Sequence, residues 1–208
     1  MNDLNFEVYP LFSSPVAVVQ VKENLSRLKN ICSDYVFRET NATGSHNVYI
    51  TENLNILDKF SKEKQILFDY FTAYKDEALK LKTTNFKITT SWATRTDPQG
   101  YSQSHNHYNS AYSAIFYFDE IEGGDLEFAS YGILPWSVDF NEPSEWGILN
   151  SHSWKFSPKK NMLIIFPSYL HHRINLNNST QPRYSLAFNI FPDGVFGNGD
   201  SSMNITIN

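Results

Sequence analysis

The sequence predicts a mainly β, α+β fold: a two-sheet jelly roll with N-terminal helices packed on one sheet. Three observations lead there. Apolar residues recur at helical spacing in two stretches between residues 25 and 81, the next hundred alternate with period two in about eight short runs, and aromatic residues reach 15% of the chain, with 16 Phe and 12 Tyr. Many short strands behind a helical segment bury their apolar faces most simply as two packed sheets, one of them carrying the helices.

Residues 1–84 read as the supporting part. Residues 8–12 and 16–21 predict a short strand pair, and Leu25, Leu28, Cys32 and Tyr35 predict a helix after it. A longer helix follows, because Phe60, Leu67, Phe71, Tyr74, Ala78 and Leu81 fall on one stripe while Lys62, Lys64, Asp69, Lys75 and Glu77 fall mostly off it. Residues 85–192 form the predicted jelly-roll core. Phe86, Ile88, Thr90 and Trp92 share one face of its first strand, and further strands are expected at 113–118, 125–129, 137–140, 153–156, 162–166, 173–176 and 184–191. Asp97-Pro98-Gln99-Gly100 reads as a turn that opens a loop, and 193–208 as a flexible tail. With no internal repeat and no linker, residues 1–208 are expected to form a single domain.

Composition excludes several function classes. Seventeen Lys and Arg against 22 Asp and Glu give a net charge of −5 with no basic run, which argues against nucleic acid as a partner. The longest apolar runs, such as 162–167, are far below the ~20 residues of a membrane span. The amino terminus has neither a basic start nor an apolar core, and the single cysteine, Cys32, has no internal partner, so a reducing cytosol is the expected location. Cys32 sits on a helix stripe as filler. The glycines at 194, 197 and 199 lack the helix and Lys-Ser/Thr of a phosphate loop, and no Gly-x-Ser-x-Gly elbow occurs.

The histidines carry the chemistry. His105 and His107 are two apart, so on extended backbone they project to one side and can grip one ion together. Sixty-five residues later comes His171-His172 at a strand end. Period-two parity puts His172 with Ile174 and Leu176 on the apolar face and His171 with Arg173 and Asn175 on the polar one, so His172 is the candidate ligand. On spacing alone a metal cluster and a set of surface and core histidines are equally good readings. Arg183 adds a cation on a strand whose one face is Tyr184, Leu186, Phe188 and Ile190 and whose other face is Arg183, Ser185, Ala187 and Asn189. That second face is solvent or a polar pocket; in a pocket, Arg183 offers a bidentate partner to a carboxylate.

Together with Gly123-Gly124-Asp125-Leu126-Glu127-Phe128, Phe166-Pro167-Ser168-x-Leu170-x-His172 and Arg183-x-Ser185-x-x-Phe188-Asn189, the pair His105-x-His107 resembles the 2-oxoglutarate- and Fe(II)-dependent oxygenases. The similarity is to the prolyl-hydroxylase-like branch, with members in bacteria and in phages of marine bacteria, and spans about 88–190. It implies a double-stranded β-helix (jelly roll), Fe(II) held by His105, His107 and His172, and 2-oxoglutarate chelating the iron with its distal carboxylate on Arg183. Tyr117 matches a position whose hydroxyl reaches that same carboxylate. The implied activity is hydroxylation of an unknown substrate by O2, with decarboxylation of 2-oxoglutarate to succinate, in a bacterial or phage-infected cell. Position 107 departs from the superfamily, which places Asp or Glu there; Asp97, Asp119 and Asp125 are the candidate acidic substitutes. Three neutral imidazoles leave the charge of the metal to be balanced by the cosubstrate.

Two other readings stay open: a non-catalytic binding or phage structural module, and a cupin-like metal enzyme without 2-oxoglutarate, which would not need Arg183. The long, proline-punctuated stretch 130–150 is expected to cover the site.

Overall fold

The computed structural model describes residues 7–40, 42–120, 122–130 and 144–207. Its strands are β1 (Ala17–Gln20), β2 (Phe37–Glu39), β3 (His46–Thr51), β4 (Asn85–Tyr101), β5 (Tyr112–Tyr117), β6 (Leu126–Ala129), β7 (Ser153–Phe156), β8 (Met162–Pro167), β9 (His172–Ile174), β10 (Arg183–Phe196) and β11 (Met203–Ile205). The larger sheet runs β1-β8-β5-β10-β4-β3-β2, with β11 hairpinned onto the end of β10; the smaller runs β7-β6-β9. All pairings within these sheets are antiparallel. The expected strand at 137–140 lies outside the described residues.

The central strands are buried on both faces, and parity sorts their side chains into two cores. Ala114, Phe116, Leu163, Ile165, Leu186, Phe188 and Ile190 face the helices, where they meet Leu28, Ile31, Leu67 and Phe71. Ile115, Tyr117, Ile164, Phe166 and Ala187 face inward, where they meet Leu126 and Phe128 of the smaller sheet. The predicted alternation of Arg183–Ile190 therefore divides the helix side from the barrel interior.

The helical part follows the apolar stripe with one shift. After a 3-10 turn at Ser26–Asn30 comes α1 (Ile31–Asp34), and the long helix is α2 (Ser61–Ala73), extended by a π turn at Tyr74–Ala78. The Leu79 N–H donates to the Tyr74 carbonyl at 3.3 Å, five residues back. That extra residue per turn moves Leu79 onto the core, leaves Ala78 exposed and turns Lys75 inward to 6% exposure.

Four expectations need correction. Residues 8–12 are not a strand: Pro10 and Pro15 break the run, Phe12 takes a φ of 60° and is fully exposed, and β1 pairs with β8 instead. Asp97–Gly100 do not end β4. Opposite them β3 steps from the His46–Tyr101 pair to Val48–Thr96, so these residues are an inserted bulge, fastened by Gln99 N–H to the Asn177 carbonyl at 2.9 Å and Asn177 N–H to the Gly100 carbonyl at 2.8 Å. Within β4 a second irregularity, where Asn189 pairs Thr90 but Ile190 pairs Ile88, reverses the parity. Phe86 and Ile88 pack toward the helices, whereas Trp92 packs inside the barrel. Residues 193–207 are no loose tail: β11 pairs β10, and Ile207 N–H donates to Asp193 Oδ1 at 2.8 Å.

Candidate metal centre

The segment after β4 returns to the barrel mouth and forms a two-way bridge with the start of β9. His105 N–H donates to the His172 carbonyl at 2.9 Å, and His172 N–H donates back at 2.8 Å. Two residues on, His107 N–H donates to the Ser168 carbonyl at 3.0 Å. The backbone thereby gathers three imidazoles. Their ligand nitrogens all lie within 4.8 Å of one another, with Nε2 of His107 and of His172 only 3.3 Å apart. His105 is exposed, His107 half-buried and His172 buried, so the cluster reaches from the surface into the barrel.

Ring orientation follows from carbonyl acceptors. Nδ1 of His105 lies 2.8 Å from the Gln103 carbonyl and Nδ1 of His172 lies 2.9 Å from the Leu170 carbonyl, so each Nδ1 carries the proton and each Nε2 keeps its lone pair. Burial, reinforced by His105, pushes His107 down to about 4 and pushes His172 well below the usual imidazole value. Both rings are neutral at pH 7, the form that binds a metal. His171, the neighbour on the opposite parity, is outside the cluster, and its carbonyl accepts from Ala129 N–H at 3.1 Å.

The candidate acidic substitutes do not join the histidines. Asp97 pairs with Arg95 at 2.9 Å and Asp119 with Lys29 at 2.6 Å, while Asp125 bears electrostatically on Arg183 and Tyr117. Among the described residues the only such cluster is His105, His107 and His172.

Arg183 lines the same cavity, of about 280 Å³, as the three histidines. It is 1% exposed, and its Nη1 donates to the Gly124 carbonyl. Its guanidinium carbon stands 5.1 Å from the centre of the Tyr117 ring. Among the described residues, neither Arg183 Nε nor the fully buried Tyr117 hydroxyl has a partner in good hydrogen-bond geometry, and the two groups bear on each other. Buried polar atoms are rarely left in this state. An anion with carboxylate oxygens would satisfy both, and burial accounts for the lowered Arg183 pKa and the raised Tyr117 pKa in its absence. The donor set therefore fits the group that the sequence implies: neutral imidazole nitrogens for a first-row divalent metal and a buried cation for a carboxylate.

Three contributors were given no role at the site from sequence. Gly124, at φ 64°, lets the guanidinium approach, since a Cβ there would stand 3.2 Å from Arg183 Nη1; the Gly-Gly pair was its signal. Trp92, grouped with the core, lines the cavity with its ring 5.6 Å from that of His107. Ser168 binds Ser113 and Ser110 through its hydroxyl, each at 2.8 Å, in a largely buried knot beside the histidine cluster. Of the expected cover at 130–150, residues 131–143 lie outside the described residues; Ile148 lines an apolar depression with Phe128 and Leu170. A wider depression of about 690 Å³, between Arg27, Glu52 and Lys59, lies among the N-terminal elements, apart from the histidines.

No described helix is long and apolar enough to cross a membrane. Residues 90–189 match a family described as "Putative 2OG-Fe(II) oxygenase". No curated protein sequence matches the chain. Among solved structures, a Pseudomonas putida prolyl-4-hydroxylase is 13% identical with a TM-score of 0.56, covering 88% of this chain and 95% of its own. A Trichoplax adhaerens prolyl hydroxylase in complex with a hypoxia inducible factor peptide fragment is 14% identical with a TM-score of 0.58, covering 85% and 83%. Streptomyces hygroscopicus HygX, with nickel, 2-oxoglutarate and hygromycin B bound, is 10% identical with a TM-score of 0.57, covering 86% and 83%. At these identities the structures speak for a shared jelly-roll fold. The matched residues 90–189 hold the histidine cluster and Arg183, so the candidate site lies in the part of the chain that is similar to the 2-oxoglutarate- and Fe(II)-dependent oxygenases, a family of oxidoreductases.

Proposed function

We propose that this chain is an Fe(II)- and 2-oxoglutarate-dependent dioxygenase that hydroxylates a substrate still to be identified. His105, His107 and His172 hold the iron, and Arg183 with Tyr117 holds the distal carboxylate of the cosubstrate. The observation that carries this reading is the sharing of one cavity by three convergent imidazoles and a buried guanidinium whose Nε has no hydrogen-bond partner among the described residues.

When bound, iron with 2-oxoglutarate and O2 supplies oxidative decarboxylation to succinate and insertion of an oxygen atom into an unactivated C–H bond. The chain's own residues bind and orient. Carbonyls of Gln103 and Leu170 lock two imidazoles with their lone pairs toward the centre. Arg183, anchored by Gly124, offers its remaining donors to a carboxylate, and the Tyr117 hydroxyl adds one more. Trp92, Phe166, Ile115 and Leu126 line the cavity with apolar surface, which keeps water from the reacting groups.

The test is Arg183→Met, assayed by succinate formation. Loss of a charge-assisted bidentate pair costs about 2–5 kcal/mol, so turnover should collapse with the fold intact, and Arg183→Lys, which keeps the charge but loses the fork, should fall between. Unchanged succinate formation in Arg183→Met would refute the cosubstrate assignment.

A further inference from the structure

We propose that this chain holds its metal and its cosubstrate as a coupled pair, because a histidine at position 107 leaves the metal's charge for the 2-oxoglutarate dianion to neutralise. The inference rests on the function proposed above and concerns how that site is loaded. Its basis is a charge balance. An imidazole nitrogen is an uncharged donor, and among the described residues no carboxylate joins the three rings. Asp97 is committed to Arg95 at 2.9 Å and Asp119 to Lys29 at 2.6 Å. Asp125 bears on Arg183 from outside the cluster and offsets that cation in part.

A divalent ion therefore adds two positive charges to a cavity of about 280 Å³ whose wall already carries the buried guanidinium of Arg183. Much of the remaining wall is apolar, including Ile115, Leu126, Phe166 and Trp92. Such surroundings screen charge poorly, so the ion alone is held against a large electrostatic penalty. The dianion of 2-oxoglutarate cancels two charges at once, one at the metal and one at Arg183. A carboxylate at position 107 would already have cancelled one. The attraction between the loaded metal and the cosubstrate is thus stronger by one full charge in this chain than in a carboxylate-bearing form of the same site.

Coupling of this kind is reciprocal: whatever factor the cosubstrate adds to metal affinity, the metal adds to cosubstrate affinity. Metal retention then follows the 2-oxoglutarate level, and the protein sheds its ion when the cosubstrate is scarce. Any chelating cosubstrate gives some coupling, so the distinguishing quantity is how much of it disappears when position 107 becomes acidic.

The experiment measures Mn(II) binding to the full chain by electron paramagnetic resonance, with and without saturating 2-oxoglutarate, for the wild type, His107→Asp and His107→Glu. The coupling factor is the ratio of the two dissociation constants. In the wild type it should reach the order of a hundredfold, the upper part of the usual range. In a folded carboxylate variant, Mn(II) alone should bind more tightly and the coupling factor should fall by about tenfold, the worth of one strong charge interaction. Equal coupling factors, or variants that bind Mn(II) alone no more tightly than the wild type, would overturn the proposal. If 2-oxoglutarate leaves Mn(II) affinity unchanged in all three proteins, the cosubstrate assignment itself fails. Should neither variant fold, the wild type is compared with 2-oxoglutarate and with 2-oxopentanoate, which keeps the chelating end and lacks the distal carboxylate; a smaller factor for 2-oxopentanoate supports the charge account and equal factors overturn it.

Discussion

His107 and Ser168 are joined by a 3.0 Å hydrogen bond from the histidine N–H to the serine carbonyl, and this bond ties the His105-x-His107 loop to the connection that carries His172 four residues later. The Ser168 hydroxyl in turn contacts Ser113 and Ser110, and Ser113 donates to Asn189 Oδ1 at 2.9 Å. A fully buried serine on the strand-to-strand connection therefore ties together the backbone segments that carry two of the clustered rings.

Ser168→Ala should weaken the site beyond its effect on the fold. Removing a buried hydroxyl partner costs about 1–3 kcal/mol of stability, and partners that orient metal ligands typically govern affinity by 10–100-fold. Metal-free thermal denaturation and Co(II) titration check the two effects separately. An unchanged Co(II) affinity would show that the serine knot is a packing feature alone.

Gly124→Ala should separate cosubstrate from metal. The residue sits at φ 64°, and an added methyl would meet Arg183 Nη1 at 3.2 Å and Cδ at 3.3 Å. The backbone strain is about 1–2 kcal/mol, and the guanidinium must shift away from its place beside Tyr117. Calorimetry should find 2-oxoglutarate binding weakened several-fold while Co(II) binding in the absence of 2-oxoglutarate is kept. Equal losses of both would point to general disruption.

Phe71→Ala should destabilise the chain without touching the site. Phe71 is fully buried between α2 and the larger sheet, with its ring 5.2 Å from Phe86 and 5.4 Å from Tyr112. A cavity of that origin costs about 3–5 kcal/mol. Urea denaturation should give a loss in that range, and Co(II) spectra of the folded fraction should match the wild type.

Cys32 should resist alkylation in the folded protein. Burial and the nearby Asp119 raise its thiol from 9.0 to about 11. Two pH units correspond to a roughly hundredfold smaller thiolate fraction near pH 8, so iodoacetamide should modify the native chain far more slowly than the urea-unfolded chain. The sign of the linkage follows: between about pH 9 and 11 the unfolded state releases a proton that the native state keeps, so stability falls as pH rises through that window. Equal alkylation rates would contradict the burial argument.

Period-two parity was the most legible property of this sequence. It put Tyr184, Leu186, Phe188 and Ile190 on one side of β10 and Arg183, Ser185 and Asn189 on the other, and the structure turns the second group into the barrel. It also separated His172 from His171. Parity failed where one residue was inserted without a compositional mark: the irregularity near Thr89 sends Trp92 into the cavity, and the π turn after Ala73 replaces Ala78 by Leu79 in the core. Asp97-Pro98-Gln99-Gly100 carries every local sign of a turn, yet long-range pairing with β3 and Asn177 keeps the strand running through it. The serine knot was illegible because its members, Ser110, Ser113 and Ser168, lie up to 58 residues apart and have no spacing that marks them.

The most direct measurement of the central claim is anaerobic addition of Fe(II) and then 2-oxoglutarate to the purified chain, followed in the visible spectrum. A chelate held by His105, His107 and His172 with its far end on Arg183 should give a weak metal-to-cosubstrate charge-transfer band that saturates at one equivalent of each, and His172→Ala and Arg183→Met should both lose it at the same concentrations. Absence of the band in wild-type protein that is shown to be folded, or a band that survives in His172→Ala unchanged, would contradict the account.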